Sequence, residues 1–259
     1  MTNKEIWRIA MEQSAADSGC RWEDFTRSEN MVVLSRPNPQ ARKYLQLPFF
    51  CDLTSYGSNI VASVSPEFAP AALEYISKYP VEHCFETPNL HMLNQALAQY
   101  QMMVCFMAEY FLPNAEKLEV LPCPYEVRLM EAEEFSQLYQ PQWGNAFCAQ
   151  RRQLDCLAAG AFYKGGLVGL AGCSADCETM WQIGVDVLPG YRRQGVATAV
   201  TSRLATAILE RGKIPFYCAA WSNIPSVRNA IKSGFVPGWV QVTAKPTAFV
   251  AQMNGNLLP

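Results

Sequence analysis

Charge is scarce in these 259 residues: Asp, Glu, Lys and Arg make up 17%, against roughly 25% in an ordinary soluble domain. Disordered chains and coiled coils both need a polar, charge-rich sequence, so the chain is neither. Long apolar runs are also missing. MMVCFMA (102–108) is among the longest and falls far short of the ~20 residues that cross a bilayer. The opening MTNKEIWRIAMEQ has no continuous apolar core, so no signal peptide is expected, and the chain is read as soluble and cytoplasmic with no membrane partner. Neither sign of charge dominates. The formal net charge is −2 and the pI about 5.8, which gives no electrostatic case for nucleic acid.

The ten cysteines include no Cys-x-x-Cys pair, the spacing with which one turn presents two sulfurs to zinc or to a redox centre. They are about 4% of the chain, against the 8–10% or more of short disulfide scaffolds, and read as reduced thiols packed as small apolar groups. His83 and His91 are the only histidines; they flank Cys84 without a carboxylate-rich ligand set, and no metal is expected. Both common nucleotide fingerprints, GxxxxGK[ST] and GxGxxG with its partner acid, are absent.

What the chain does have is apolar mass, 50% AVILMFWYC, enough for a substantial core. The segment LEVLPCPYEV (118–127) sets Pro122 and Pro124 between two apolar runs and reads as a connector, since proline fixes its own φ and biases the residue before it toward extended backbone. This predicts a boundary near 121–125, with domains 1–123 and 124–259. Residues 1–123 hold 9 Lys/Arg and 14 Asp/Glu; residues 124–259 hold 12 and 9. An anionic ligand therefore belongs by default to the second half.

The first half reads as a smaller mixed α/β domain. Helical spacing covers 4–13 and 66–79, the latter opening on Ser65 as cap and Pro66, with β-like runs at 31–35, 59–64 and 101–106. Trp7, Trp22, Tyr44, Phe49 and Phe50 are expected in its core. In the second half the pattern predicts strand 125–130, helices 131–140 and 145–157, strands 159–163, 167–174 and 179–188, helix 195–211, strand 214–220, helix 224–233, and strands 236–243 and 247–252. Lys164-Gly165-Gly166 is a hairpin turn, and Val196, Val200, Leu204 and Ile208 repeat every four positions as one apolar stripe. Alternating strands and helices imply an α/β (α+β) fold with a mixed central sheet flanked by helices.

The chemistry concentrates in IGVDVLPGYRRQGVATAV (183–200). A strand runs through Pro189 and Gly190 into a basic loop and then directly into a helix near Gly195. A helix N-terminus carries unpaired N–H groups and partial positive charge, so a diphosphate can sit there, with Arg192 and Arg193 adding charge and Gly195 and Ala197 allowing close approach.

This stretch resembles motif A of the GNAT superfamily of N-acetyltransferases: Arg192-Arg193-Gln194-Gly195-Val196-Ala197 fits [QR]-x-x-G-x-[GA] and Val187-Leu188-Pro189-Gly190-Tyr191-Arg192 fits V-x-P-x-Y-R. WSNIPSVRNAIKSGF (221–235) resembles motif B, N-x-x-[SA]-x7-G-F, through Asn223, Ser226, Gly234 and Phe235. The resemblance covers roughly 124–259, and the two-domain layout is similar to the group that includes the zwittermicin-resistance acetyltransferases. It implies that the strands before and after the motif A helix splay apart, and that acetyl-CoA enters the gap as the co-substrate. Val185 and Val187 would pair with its amides as an added strand would. The amides of Arg193, Gln194, Gly195, Val196, Ala197 and Thr198 would hold the pyrophosphate, and Asn223 with Ser226 would lie beside the pantetheine.

The resemblance implies direct acetyl transfer to an amine of a small molecule, which must lose a proton before it attacks. Asp186 is the first candidate base and Glu178 the second, with Asp176 nearby and a water chain as the alternative. Many relatives carry a tyrosine seven residues after the motif B asparagine; here that position is Ala230. Ser226, Ser222, Tyr217 or water would then assist the leaving sulfur, or turnover is lost and the chain is a CoA-binding sensor. The acceptor pocket is expected around Trp143, Asn145 and Phe147. Residues 1–123 would recognise the acceptor, form a homodimer, or be a degenerate copy of the same fold.

Overall fold

The computed structural model describes residues 1–255. In chain order the elements are α1 (Asn3–Ser18), β1 (Met31–Leu34), β2 (Cys51–Ser55), β3 (Val61–Val64), α2 (Ala69–Lys78), α3 (Thr87–Ala98), β4 (Met102–Pro113) and β5 (Glu126–Glu131). They continue as β6 (Asp155–Tyr163), β7 (Gly166–Ser174), β8 (Met180–Val187), α4 (Val196–Glu210), β9 (Ile214–Ala219), α5 (Ile224–Lys232), β10 (Phe235–Pro246) and α6 (Thr247–Gly255). The chain folds as two compact units. One comprises Met1–Ala10 and Tyr110–Gly238; the other comprises Met11–Glu109 and the segment from Trp239 on. The connector around 121–125 lies inside the first unit, where Leu121 N–H donates to Ser202 Oγ at 3.0 Å.

In the first unit the strand order is β4-β9-β8-β7-β6-β5. Strands β5 to β8 are antiparallel neighbours, and β8 and β9 are parallel. Alternation along the strands divides side chains between two faces. Leu157, Ala159, Ala161, Ala171, Cys173 and Ile183 lie with the α4 stripe Val196, Val200, Leu204 and Ile208 in one buried cluster. Ala158 and Leu170 lie with Met130, Phe135, Trp143, Ala146 and Phe147 in another. The sheet is thus covered on both faces.

In the second unit the order is β1-β3-β2-β10-β4, with β1 parallel to β3 and antiparallel pairs from β3 through β2 to β10. Leu53, Ala62, Val64 and Val242 pack with Phe68, Ala72 and Ile76 of the α2 region and Leu93 and Leu97 of α3. Phe49 is buried, while Trp22, Tyr44 and Phe50 are half-buried.

Four expected elements differ. Over 131–140 only Ala132–Glu134 forms a 3-10 turn, and over 145–157 only Ala149–Leu154 does, after which β6 begins at Asp155. Each segment delivers its apolar side chains to the core, Phe135 from the first and Ala146, Phe147 and Leu154 from the second, from short turns rather than from one continuous helical face. Residues 247–252 lie in α6 rather than a strand, because β10 runs on to Pro246, where proline can start a helix and cannot extend a ladder. Finally, α2 starts at Ala69 with Pro70 in its first turn, and the Ser65 carbonyl accepts from Phe68 N–H in the turn before it.

Candidate active site

The parallel ladder of β8 and β9 runs from Met180↔Ile214 to Ile183↔Tyr217 and stops there. Strand β8 continues to Val187, still paired on its far side to β7 through Ala171↔Val185 and Gly169↔Val187. From Gly184 on, one edge of β8 therefore has no strand beside it. Val185 and Val187 stand along this gap, both half-buried, and the Val187 carbonyl accepts from Arg192 Nε at 3.0 Å.

Beyond β8 the chain makes a short 3-10 turn at Pro189–Tyr191 and enters α4 with Gly195 as its N-cap. Gly195 has φ +80°, a left-handed conformation in which a Cβ is strained, and Arg193 adopts φ +61°. The N–H groups of Arg193, Gln194, Gly195, Val196, Ala197 and Thr198 donate to no acceptor among the described residues. Six consecutive donors at a helix N-terminus, with the exposed Arg192 and Arg193 side chains beside them, make a cradle for an anion. The Thr198 hydroxyl donates to the Gly195 carbonyl at 2.9 Å.

On the other side of the gap, Tyr217 of β9 is buried and its hydroxyl lies 2.8 Å from Ser226 Oγ on α5. Burial pushes the Tyr217 pKa up, so the phenol stays protonated at neutral pH. Asn223 caps α5 by accepting from Ser226 N–H at 3.3 Å, and Asn229 Nδ2 donates to Thr201 Oγ1 at 3.0 Å. Ala230 is fully buried in the same cluster as Tyr217. Among the expected hydroxyls, Tyr217 and Ser226 are brought together; Ser222 is exposed ahead of α5.

The two expected bases are placed apart. Both Asp186 oxygens are engaged: Asn145 N–H and Ala146 N–H donate to one at 2.8 and 2.9 Å, and Asn145 Nδ2 to the other at 2.6 Å. Asp186 holds down the turn at 144–147, which crosses the sheet face opposite α4. That approach depends on a cross-strand pair of glycines, Gly172↔Gly184. A Cβ on Gly184 would come 1.9 Å from the Asn145 carbonyl oxygen, and one on Gly172 would come 2.4 Å from that of Ala146. Glu178 is exposed ahead of β8, six residues from Gly184, or roughly 20 Å along an extended strand. Asp176 is buried in an ion pair with Arg151 at 2.5 Å. Trp143 and Phe147 belong to the core under the turn, while Asn145 is exposed.

All ten cysteines are free thiols. Among the described residues no group of three or more His, Cys, Asp or Glu gathers as metal ligands, and no helix is long and apolar enough to cross a membrane.

Residues 81–238, well over half of the chain, match the family model of the GNAT acetyltransferases. The chain belongs to the GNAT acetyltransferase family.

Solved GNAT structures are among its structural neighbours. A putative GNAT-family acetyltransferase from Novosphingobium aromaticivorans is 16% identical with a TM-score of 0.43, over 56% of this chain and 66% of that one, just under two thirds of its length. A GNAT-family acetyltransferase from Colwellia psychrerythraea is 19% identical with a TM-score of 0.44, over 71% and 76%. A GCN5-related N-acetyltransferase from Sphaerobacter thermophilus is 14% identical with a TM-score of 0.46, over 73% and 72%. No curated protein matches the chain. In this GNAT chain the residues unforeseen from sequence are Gly172 and Gly184, whose pairing depends on strand register, and Tyr125, whose hydroxyl donates to Gln194 of the cradle loop.

Proposed function

We propose that this chain is a cytoplasmic, acetyl-CoA-dependent N-acetyltransferase that moves an acetyl group directly to a primary amine of a small molecule. The observation that supports this reading is the run of six unpaired amides from Arg193 to Thr198 beside the unpaired edge of β8. A diphosphate and an amide-bearing arm need these two features side by side. In this reading the amides and the two arginines hold the diphosphate, the edge at Val185 and Val187 orients the arm, and Asn223 and Ser226 flank it at the start of α5. When bound, acetyl-CoA supplies the acetyl group activated as a thioester.

Both oxygens of Asp186 are occupied by N–H donors, so we assign it the positioning of the 144–147 turn at the acceptor side rather than proton abstraction. The amine proton then passes to water. Tyr217 holds a proton at neutral pH and takes the part of the tyrosine that Ala230 replaces. Its hydroxyl donates to the departing sulfur, and the half-buried Ser226 connects it to solvent. Ala230 favours a second reading, a CoA-binding sensor without turnover.

One experiment separates the two. The protein is incubated with acetyl-CoA and a panel of small primary amines, and free thiol and acetylated product are measured together. Stoichiometric thiol and product support the enzyme; saturable CoA binding with neither supports the sensor.

A further inference from the structure

Gln194 lies within the six-amide run and is held at both ends of its side chain. Nε2 donates to the Gly190 carbonyl at 3.1 Å, and Oε1 accepts from the Tyr125 hydroxyl. Tyr125 is 69 residues earlier in the chain, immediately before β5, on a segment outside both motifs. Its ring is edge-on to Tyr191 at 5.5 Å and to Tyr163 at 5.7 Å, and those two lie 6.0 Å apart. Three separate segments thus converge as an aromatic brace on the loop. The same segment reaches Gly195, where the Pro122 carbonyl oxygen would lie 3.5 Å from an added Cβ.

The loop needs such a brace. Arg193 at φ +61° and Gly195 at φ +80° both occupy the left-handed region, and for Arg193 that conformation is disfavoured by its own Cβ. The helix itself aligns the N–H groups of Val196, Ala197 and Thr198, but a loop left to itself would spend much of its time with those of Arg193, Gln194 and Gly195 pointing away from them, and an anion would have to order them on binding. Tying Gln194 to Gly190 on one side and to Tyr125 on the other holds the amides converged before any ligand arrives. Arg192, fixed through Nε to the Val187 carbonyl, closes the other end of the loop.

We propose that Tyr125 is a positioning residue that preorganises the amide cradle for the diphosphate of the acyl donor. It thereby sets the preference for diphosphate-bearing thioesters over phosphate-free ones. The inference rests on the reading of the loop given under Proposed function.

The test compares acetyl-CoA with acetyl-pantetheine, which has the same thioester arm and no phosphate, and adds calorimetric titration of CoA as a readout independent of turnover. In Tyr125→Phe the aromatic brace remains and only the hydroxyl is lost. The expected result is a roughly tenfold weaker CoA affinity and a matching rise in KM for acetyl-CoA, with kcat held and kcat/KM for acetyl-pantetheine unchanged, in line with one lost hydrogen bond. Gln194→Leu should weaken CoA binding similarly, and the double variant no further, because the two residues act through one contact. Equal losses for both donors, additive effects in the double variant, or unchanged CoA affinity in Tyr125→Phe would each overturn the proposal. Failure of the unmodified protein to bind CoA at all would instead overturn the reading of the loop itself.

Discussion

The Tyr217 hydroxyl meets Ser226 Oγ at 2.8 Å, on the last rung at which β8 and β9 remain paired. Ile183 opposite Tyr217 closes the ladder, and everything beyond that rung is open edge. A buried, protonated phenol at the head of a strand gap, tied to a half-buried serine, carries the donor role proposed above.

Removing that hydroxyl tests its role. Tyr217→Phe keeps the ring in its place against Phe235, 6.2 Å away, and should lower kcat about a hundredfold while CoA affinity stays within about twofold. Steady-state kinetics paired with CoA titration make the measurement. An unchanged kcat would return the task to water or to Ser226 alone.

Asp186 should behave as an anchor. Asp186→Asn loses charge-assisted bonds to the turn at 144–147 and should destabilise the protein by about 2 kcal/mol in chemical denaturation. If the variant instead keeps full stability and loses kcat, the carboxylate is a base after all.

Gly184→Ala places a methyl group where the Asn145 carbonyl oxygen already lies, 1.9 Å away. Either the turn lifts off the sheet or β8 moves, and the expected cost is about 2 kcal/mol or more. Gly190, with nothing within 4 Å of its Cβ position, is the control: Gly190→Ala should change stability by less than about 1 kcal/mol.

The second unit contributes a prediction about pH. Asp52 is fully buried, and burial raises its pKa from 3.8 to about 6 despite hydrogen bonds from Thr243, Gln241 and Thr54. A raised carboxylate pKa means that folding favours the protonated form. The stability linked to this group is therefore complete below about pH 4, declines as pH rises toward 6, and is flat above. The difference between pH 4 and pH 7.5 should be about 2–3 kcal/mol in the wild type relative to Asp52→Asn, read from urea midpoints. Parallel pH profiles for the two proteins would contradict it.

Some of this was legible in the sequence and some was not, for identifiable reasons. The β8-loop-α4 segment was legible because its order of strand, basic glycine loop and helix is local. The α4 stripe and the Lys164-Gly165-Gly166 turn rest on short-range periodicity and came through for the same reason. In the stretches 131–140 and 145–157 the apolar spacing fits a helix as well as it fits turns; the sheet face beneath them, shaped by Gly172 and Gly184, holds only short turns. Tyr125 is illegible because its partner is 69 residues away, and the amides that donate to Asp186 are equally hidden, because they come from a turn about 40 residues earlier in the chain. The compact units also depart from a cut at 124. Proline spacing marks a connector but cannot show on which unit it packs, nor that the chain from Trp239 on belongs with residues 11–109.

In the proposed function the loop before α4 receives the diphosphate of coenzyme A, and Gly195 is its most exacting position. At φ +80° a β-branched residue is strained whatever the space around it. Calorimetric titration of CoA into the wild type and Gly195→Val is the direct measurement. The expected result is saturable one-to-one binding by the wild type and at least a tenfold loss in the variant, with the fold retained; equal affinity in the two proteins, or no binding by either, would overturn the assignment of the loop.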